Sequence, residues 1–275
     1  MSNRIVQVEL RDRSVIPAEA EVQATVVPQE LGPTTQVRGQ LVGPRCRYAS
    51  TVEVAYPFRP LLVPTGRPAL VVRAIIPEAN TWSLESPHLY LGCLELIQDG
   101  VRCDQVAIRH GLRTMSLGPR GFRLNGRLLQ WRGRRVETLE VAQALQLREA
   151  GYNLVLTEVS PQAANVWEVA DSVGLLVLGR LPASKCDPQL LARLAWHPSC
   201  VGWLAGPDVE LPDVLPPGTL LGTEGILRLP PGLSSSFTAV RPGASPEGKR
   251  PYVRLDADKE EVDSSDPRCL GSVEG

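Results

Sequence analysis

Six cysteines (Cys46, Cys93, Cys103, Cys186, Cys200 and Cys269) and three histidines are the thiol and imidazole groups of this chain. The cysteines stand far apart, with no Cys-x-x-Cys pair, which is not the spacing of a tetrahedral zinc site. No metal and no cofactor is expected. Cys93 and Cys103 flank an Asp99-Gly100 turn, but a two-residue hairpin loop would set Cys103 opposite Leu96, so a local disulfide is not implied and buried thiols are the simpler reading. His197 and His88 sit in Pro-containing turns and are read as making local hydrogen bonds. The stretch His197-Pro-Ser-Cys-Val-Gly-Trp-Leu-Ala-Gly-Pro-Asp208 is a short apolar run ending in a turn that carries an acid. Such an acid either exchanges protons at a strand tip or only ends the strand, since Asp after Gly-Pro is an ordinary turn residue.

The elements that would position it fall into two rhythms. From residue 1 to about 118 the chain runs in short period-two segments: Ile5 to Leu10, Glu21 to Val27, Gln36 to Val42, Thr51 to Ala55, Leu70 to Ile76, Leu89 to Gln98 and Val101 to Arg109. Seven short strands without a helical period between them predict an antiparallel β-sandwich. After Gly118 strands and helices alternate. Arg127 to Gly133 reads as a strand, and Glu137 to Ala150 as a helix capped by Gly151. Asn153 to Glu158 is the next strand. A helix opened by Pro161 carries Ala163, Val166, Trp167, Ala170 and Val173 at helical spacing and ends at Gly174, before the strand Leu175 to Leu178. Asp187-Pro188 starts a third, shorter helix leading to Cys200–Ala205. Near-continuous apolar strands joined by helices predict a parallel sheet, open or closed into a barrel. Beyond Pro212, prolines, glycines and Ser234-Ser-Ser236 interrupt the pattern. One more strand is expected at Pro251 to Leu255, then an irregular acidic tail from about residue 256.

The totals exclude some functions. Lysine plus arginine number 29 against 30 aspartates plus glutamates, so no strong field marks a nucleic acid or an anionic membrane as partner. No stretch approaches the ~20 apolar residues of a membrane helix. The start lacks the basic patch and apolar run of a signal peptide, so a cytoplasmic protein is expected. The length suits two domains, here 1–118 and 119–275.

Trp82-Ser-Leu-Glu-Ser-Pro-His-Leu-Tyr90, followed by Asp99-Gly100 and Gly111-Leu-Arg113, resembles the end of the immunoglobulin-like sandwich of family 2 glycoside hydrolases, the β-galactosidase, β-glucuronidase and β-mannosidase group. The resemblance continues in order. Phe122-Arg-Leu-Asn-Gly126 and Trp131-Arg-Gly133 are similar to the start of that family's barrel, Gly151-Tyr-Asn153 to its second strand, and Asp171-Ser-Val-Gly-Leu-Leu-Val177 to its third. His197-Pro-Ser199 with Trp203 and Gly206 is similar to the fourth, which in the family ends in Gly-Asn-Glu. The resemblance implies an immunoglobulin-like β-sandwich followed by a (β/α)8 TIM-type barrel with its site at the carboxyl ends of the strands. It also implies retaining hydrolysis of O-glycosyl bonds in β-linked sugars by two carboxylates about 5 Å apart. Asp208 takes the acid/base place, and Asp256, after the proline-led Pro251-Tyr-Val-Arg-Leu255, the nucleophile place. Trp203 and Asn153 are the implied substrate-binding residues, and a carbohydrate the implied partner.

The departures set the alternative. Pro207 stands where the family has Asn; Leu156 and Val159-Ser160-Pro161 stand where it has an arginine and His-Tyr-Pro; Arg134-Arg-Val136 follows Gly133 where it has Asn and His. A catalytically inactive member, serving as a carbohydrate- or protein-binding module, is the second expectation. Strand–helix units of about 30 residues do not fit twice into residues 209–255, so the barrel is expected to be incomplete, about half of one.

Overall fold

The computed structural model describes residues 3–16, 18–63, 65–183, 186–225, 229–242, 244–246, 248–256 and 266–275. The chain divides into two compact units, Met1–Trp82 with Ser86–Arg113, and Ser83–Glu85 with Thr114–Gly275.

The first unit holds β1 (Ile5–Ile16), β2 (Glu19–Pro28), β3 (Gln36–Arg45), β4 (Val54–Pro57), β5 (Arg59–Pro60), β6 (Leu70–Pro77), β7 (Leu89–Gln98) and β8 (Val101–His110). They form two four-stranded antiparallel sheets, β1-β2-β6-β5 and β4-β3-β7-β8. Alternation decides what is buried: Ala20, Val22, Ala24 and Val26 of β2 are wholly covered, and their neighbours are not, as the period of two requires. Asp99 and Gly100, both with positive φ, make the two-residue turn between β7 and β8, the conformation that brings Asn, Asp and Gly to such hairpins. The register then slips between Leu96 and Ile97, so Asp104, not Cys103, lies opposite Leu96. That bulge corrects the expected pairing. All six cysteines are thiols, with Cys186, Cys200 and Cys269 buried and the other three half-buried.

The second unit opens with a small sheet of β9 (Met115–Gly118), β10 (Gly121–Leu124) and β11 (Arg127–Leu128). It continues with β12 (Trp131–Arg135), α1 (Val141–Glu149), β13 (Leu154–Glu158), α2 (Ala164–Val173), β14 (Leu176–Arg180), α3 (Pro188–Leu194) and β15 (Cys200–Ala205). Local chemistry sets the helix ends. Gly174 takes the left-handed conformation that ends α2, and the Asp187 carboxylate accepts from Gln189 N at the start of α3, with Pro188 in the first turn.

Four further strands follow: β16 (Leu220–Glu224), β17 (Phe237–Val240), β18 (Tyr252–Leu255) and β19 (Cys269–Glu274). β12 through β19 close a barrel of eight parallel strands in chain order, β19 pairing β12. This corrects the expected half barrel. The fifth to eighth strands are present; what is missing, among the described residues, is any helix after α3. Strands of four to six residues joined by irregular segments fit the interval that strand–helix units could not. The expected acidic tail is corrected too, since residues 269–274 return as the closing strand; residues 257–265 lie outside the described residues. Asp266 anchors that return: its carboxylate takes Arg268 Nε and Nη2 at 3.0 and 2.7 Å, and Arg268 N at 2.9 Å.

Under the helices the barrel's outer wall is apolar. Val155, Val177, Trp203 and Ala205 share one core cluster with Val166, Trp167, Ala170, Leu191 and Leu194. Inside the barrel, the Trp131 ring meets that of Phe237, 5.4 Å between centroids, although β12 and β17 are not adjacent strands. The Phe237 ring lies so close over Gly222 that a Cβ there would strike it.

Candidate active site at the carboxyl ends of the barrel strands

Asp208 sits two residues past Gly206 at the end of β15, the barrel's fourth strand, with its side chain exposed. The turn is closed by the backbone, Val209 N donating to Gly206 O at 3.4 Å. Among the described residues the Asp208 carboxylate takes no part in it, so capping does not account for the acid. Asp256 directly follows β18, the seventh strand, with φ 51° and its N–H donated to Val273 O at 2.7 Å. The two acids therefore occupy the carboxyl ends of the fourth and seventh strands, with β16 and β17 between.

The other two predicted residues are elsewhere. Trp203 is wholly buried, its ring pressed on Gly179 and its Nε1 donating to Thr219 Oγ1 at 3.1 Å. It faces the helix layer and has no surface to offer a ligand. Asn153 precedes β13, at the amino ends of the strands, where its side chain accepts from Arg132 N at 2.9 Å and donates to Gln130 O at 2.8 Å. It staples the start of β12 to β13 and lies at the rim opposite the candidate site. Both expectations fail because a residue's strand end and facing decide what it can touch.

A charged cluster that the sequence reading did not single out lies at the carboxyl ends. Glu224 ends β16 with its side chain 5% exposed, 2.8 Å from Arg180 at the end of β14 and 3.0 Å from Arg241 just past β17. Glu224 alternates with Gly222, whose face meets the barrel-filling Phe237 ring, so its carboxylate is on the barrel's inner side. The contact with Arg180, two strands away, passes over β15. The signal was available: Leu220-Leu-Gly-Thr-Glu224-Gly225 repeats the apolar-run-then-acid pattern that drew attention to Asp208. An open cavity of ≈ 970 Å³ borders this cluster, lined by Pro207, Glu224 and Arg241 among others.

The replaced positions have become structural. Leu156 is 4% exposed and Val159 5%, Val159 packing on Gly179. The Ser160 hydroxyl accepts from Ala163 N at 3.2 Å, just ahead of α2. At the amino end of β15, the buried Asp171 carboxylate holds His197 Nδ1 at 2.6 Å, Ser199 Oγ at 2.6 Å and Ser199 N at 3.0 Å. That network ties α2 to the start of the fourth strand; it lies at the strand's far end from Asp208.

No family model matches the sequence. Among curated proteins, a β-glucuronidase of Bacteroides fragilis is 30% identical over 122 residues, covering 39% of this chain and 18% of that protein. A putative β-glucuronidase of Formosa agariphila is 30% identical over 166 residues, covering 50% and 20%. The chain thus spans about a fifth of the length of the curated relatives it matches. Among solved structures, a glycosyl hydrolase family 2 member from Bacteroides cellulosilyticus superposes with a TM-score of 0.69 at 13% identity, over 99% of this chain and 44% of that one. An FMN-binding β-glucuronidase from Faecalibacterium prausnitzii gives 0.64 at 14%, over 92% and 44%. Sequence matches and a shared multidomain β fold converge: the chain is a glycoside hydrolase family 2-like protein.

Proposed function

We propose that this protein acts on the O-glycosyl bond of a β-linked sugar at the carboxyl ends of its barrel strands, with Asp208 as acid/base and Asp256 as nucleophile. In this reading the first unit is an immunoglobulin-like sandwich and the barrel is of the TIM type, with three helices among its described residues where a full (β/α)8 barrel has eight. The observation that carries it is the pair of carboxylates at the ends of the fourth and seventh strands of an eight-stranded parallel barrel. Relatives named β-glucuronidase support the substrate class. A retaining pair must hold one acid protonated while the other stays ionised, about 5 Å apart. Asp is one methylene shorter than Glu, so the sugar must sit closer to the strand ends than a glutamate pair would hold it. The test is release of nitrophenol from a panel of β-linked nitrophenyl glycosides, with Asp208→Asn and Asp256→Asn each abolishing it. A wild-type protein silent on the whole panel would refute hydrolysis, and variants as active as wild type would refute the roles given to Asp208 and Asp256.

A second reading, binding without turnover, is favoured by Pro207, which removes an amide beside the acid, and by the Arg180–Glu224–Arg241 cluster filling the inner side of the strand ends. It predicts glycan binding by calorimetry in a protein that cleaves nothing.

A further inference from the structure

We infer that the cavity against the fifth and sixth barrel strands is a separate binding site for a saccharide carrying an oxyanion group, such as a sulfate ester. Among the described residues three cations, Arg241, Lys249 and Arg250, line it with one carboxylate, Glu224. Glu224 is already neutralised from the other side by Arg180 at 2.8 Å, so the described lining is left positive. In a chain of net charge −1 that concentration is not a property of the surface at large. Lys249 and Arg250 are exposed and meet no acid among the described residues, and the Arg241 side chain is 66% exposed, leaving guanidinium edge for a second partner. Cations gathered in a concavity raise the local concentration of anions well beyond what a flat surface does.

The rest of the lining suits hydroxyls. Where the outer wall under the helices presents Val155 and Val177, the wall of β16 and β17 presents Thr223 and Thr238, and Ser235 adds a third hydroxyl. Thr238 Oγ1 is shielded from solvent and has no hydrogen-bond partner among the described residues, a donor and acceptor left over by the fold. A volume of ≈ 970 Å³ exceeds what a lone inorganic anion needs and is at the upper end of small-ligand sites. The saccharide part of this inference rests on the carbohydrate reading above; the anion part stands on the lining alone.

The experiment is calorimetric titration of the full chain with a sulfated disaccharide, its unsulfated counterpart and inorganic sulfate. The sulfated probe should bind at least about tenfold more tightly than the neutral one, weaken as salt is raised, and be displaced by inorganic sulfate. Lys249→Gln/Arg250→Gln, a substitution of two exposed side chains, should weaken it by about tenfold. Equal affinity for the two disaccharides, wild-type affinity in the double variant, or no displacement by sulfate would each overturn the inference. Asp208→Asn separates the two proposals, because it should stop any turnover and leave this binding unchanged.

Discussion

Removing the Asp171 carboxylate should cost the second unit more than any other single polar change at the α2–β15 junction. Asp171 is 0% exposed, as is Ser199, and the carboxylate accepts from Ser199 N at 3.0 Å, Ser199 Oγ at 2.6 Å and His197 at 2.6 Å. Asp171→Ala leaves the Ser199 amide buried without this acceptor, at about 1–3 kcal/mol. The Ser199 hydroxyl can fall back on Trp167 O at 3.4 Å, so its loss is smaller. His197, with its side chain 19% exposed, can turn to water at roughly 1 kcal/mol. The sum is about 2–5 kcal/mol for Asp171→Ala. Asp171→Asn keeps an acceptor for the amide and should cost about half as much, and Ser199→Ala about 1 kcal/mol. Urea unfolding followed by tryptophan fluorescence reads this directly, because Trp167 and Trp203 flank the junction on α2 and β15; the midpoint moves and the slope stays. An Asp171→Ala protein within about 1 kcal/mol of wild type would refute the reasoning, as would Ser199→Ala costing as much as Asp171→Ala.

Gly222→Ala pushes a methyl group into the Phe237 ring and should destabilise the barrel by about 1–3 kcal/mol, with Phe237→Leu in the same chain recovering part of it in a thermal melt. Burial pushes the Tyr90 hydroxyl up to about 12. Its raised value means that stability is intact below pH 10 and falls as pH rises from 10 toward 12, because the unfolded chain loses that proton first. In an ultraviolet titration Tyr90→Phe should leave the absorbance change near pH 10 as in wild type and remove part of the change near pH 12. Arg268 holds the Asp266 carboxyl down at about 2. Its contribution is present above the ordinary aspartate range and lost as pH falls through about 2, and Arg268→Gln should return the carboxyl NMR titration to the ordinary range.

The sequence announced its first four barrel strands because the helices between them mark their boundaries, and α2 prints a period as well. Gly151 and Gly174 end α1 and α2, and Asp187-Pro188 starts α3. It announced Asp208 for the same reason, as the acid ending a continuous apolar run. β16, β17 and β19 went unread because, with no helix beside them, four to six residues among prolines and glycines carry no period. Closure is also non-local: nothing near Cys269 says that Gly271 will pair with Trp131. Trp203 and Asn153 were readable as residues but not in their facing. A motif's order along the chain does not tell which side of a strand a ring lies on, or which end of the barrel an amide reaches.

The unread half argues against a barrel that has simply lost pieces. Had helices been removed from an otherwise unchanged wall, β16 and β17 would present branched apolar side chains to water, an aggregation-prone surface. Instead Thr223 lies 3.3 Å from Ser235, the Ser236 hydroxyl accepts from Leu221 N at 3.2 Å, and Ser236 N donates to Leu221 O at 2.7 Å. The serine run that interrupts every predicted element is thus what fastens the sixth strand to the fifth. The apolar remainder is covered locally, Val240 packing with Tyr252 and Cys269. Hydroxyls paired with one another and with the neighbouring strand's backbone thus close this half of the wall without a helix, leaving Thr223 only 4% exposed.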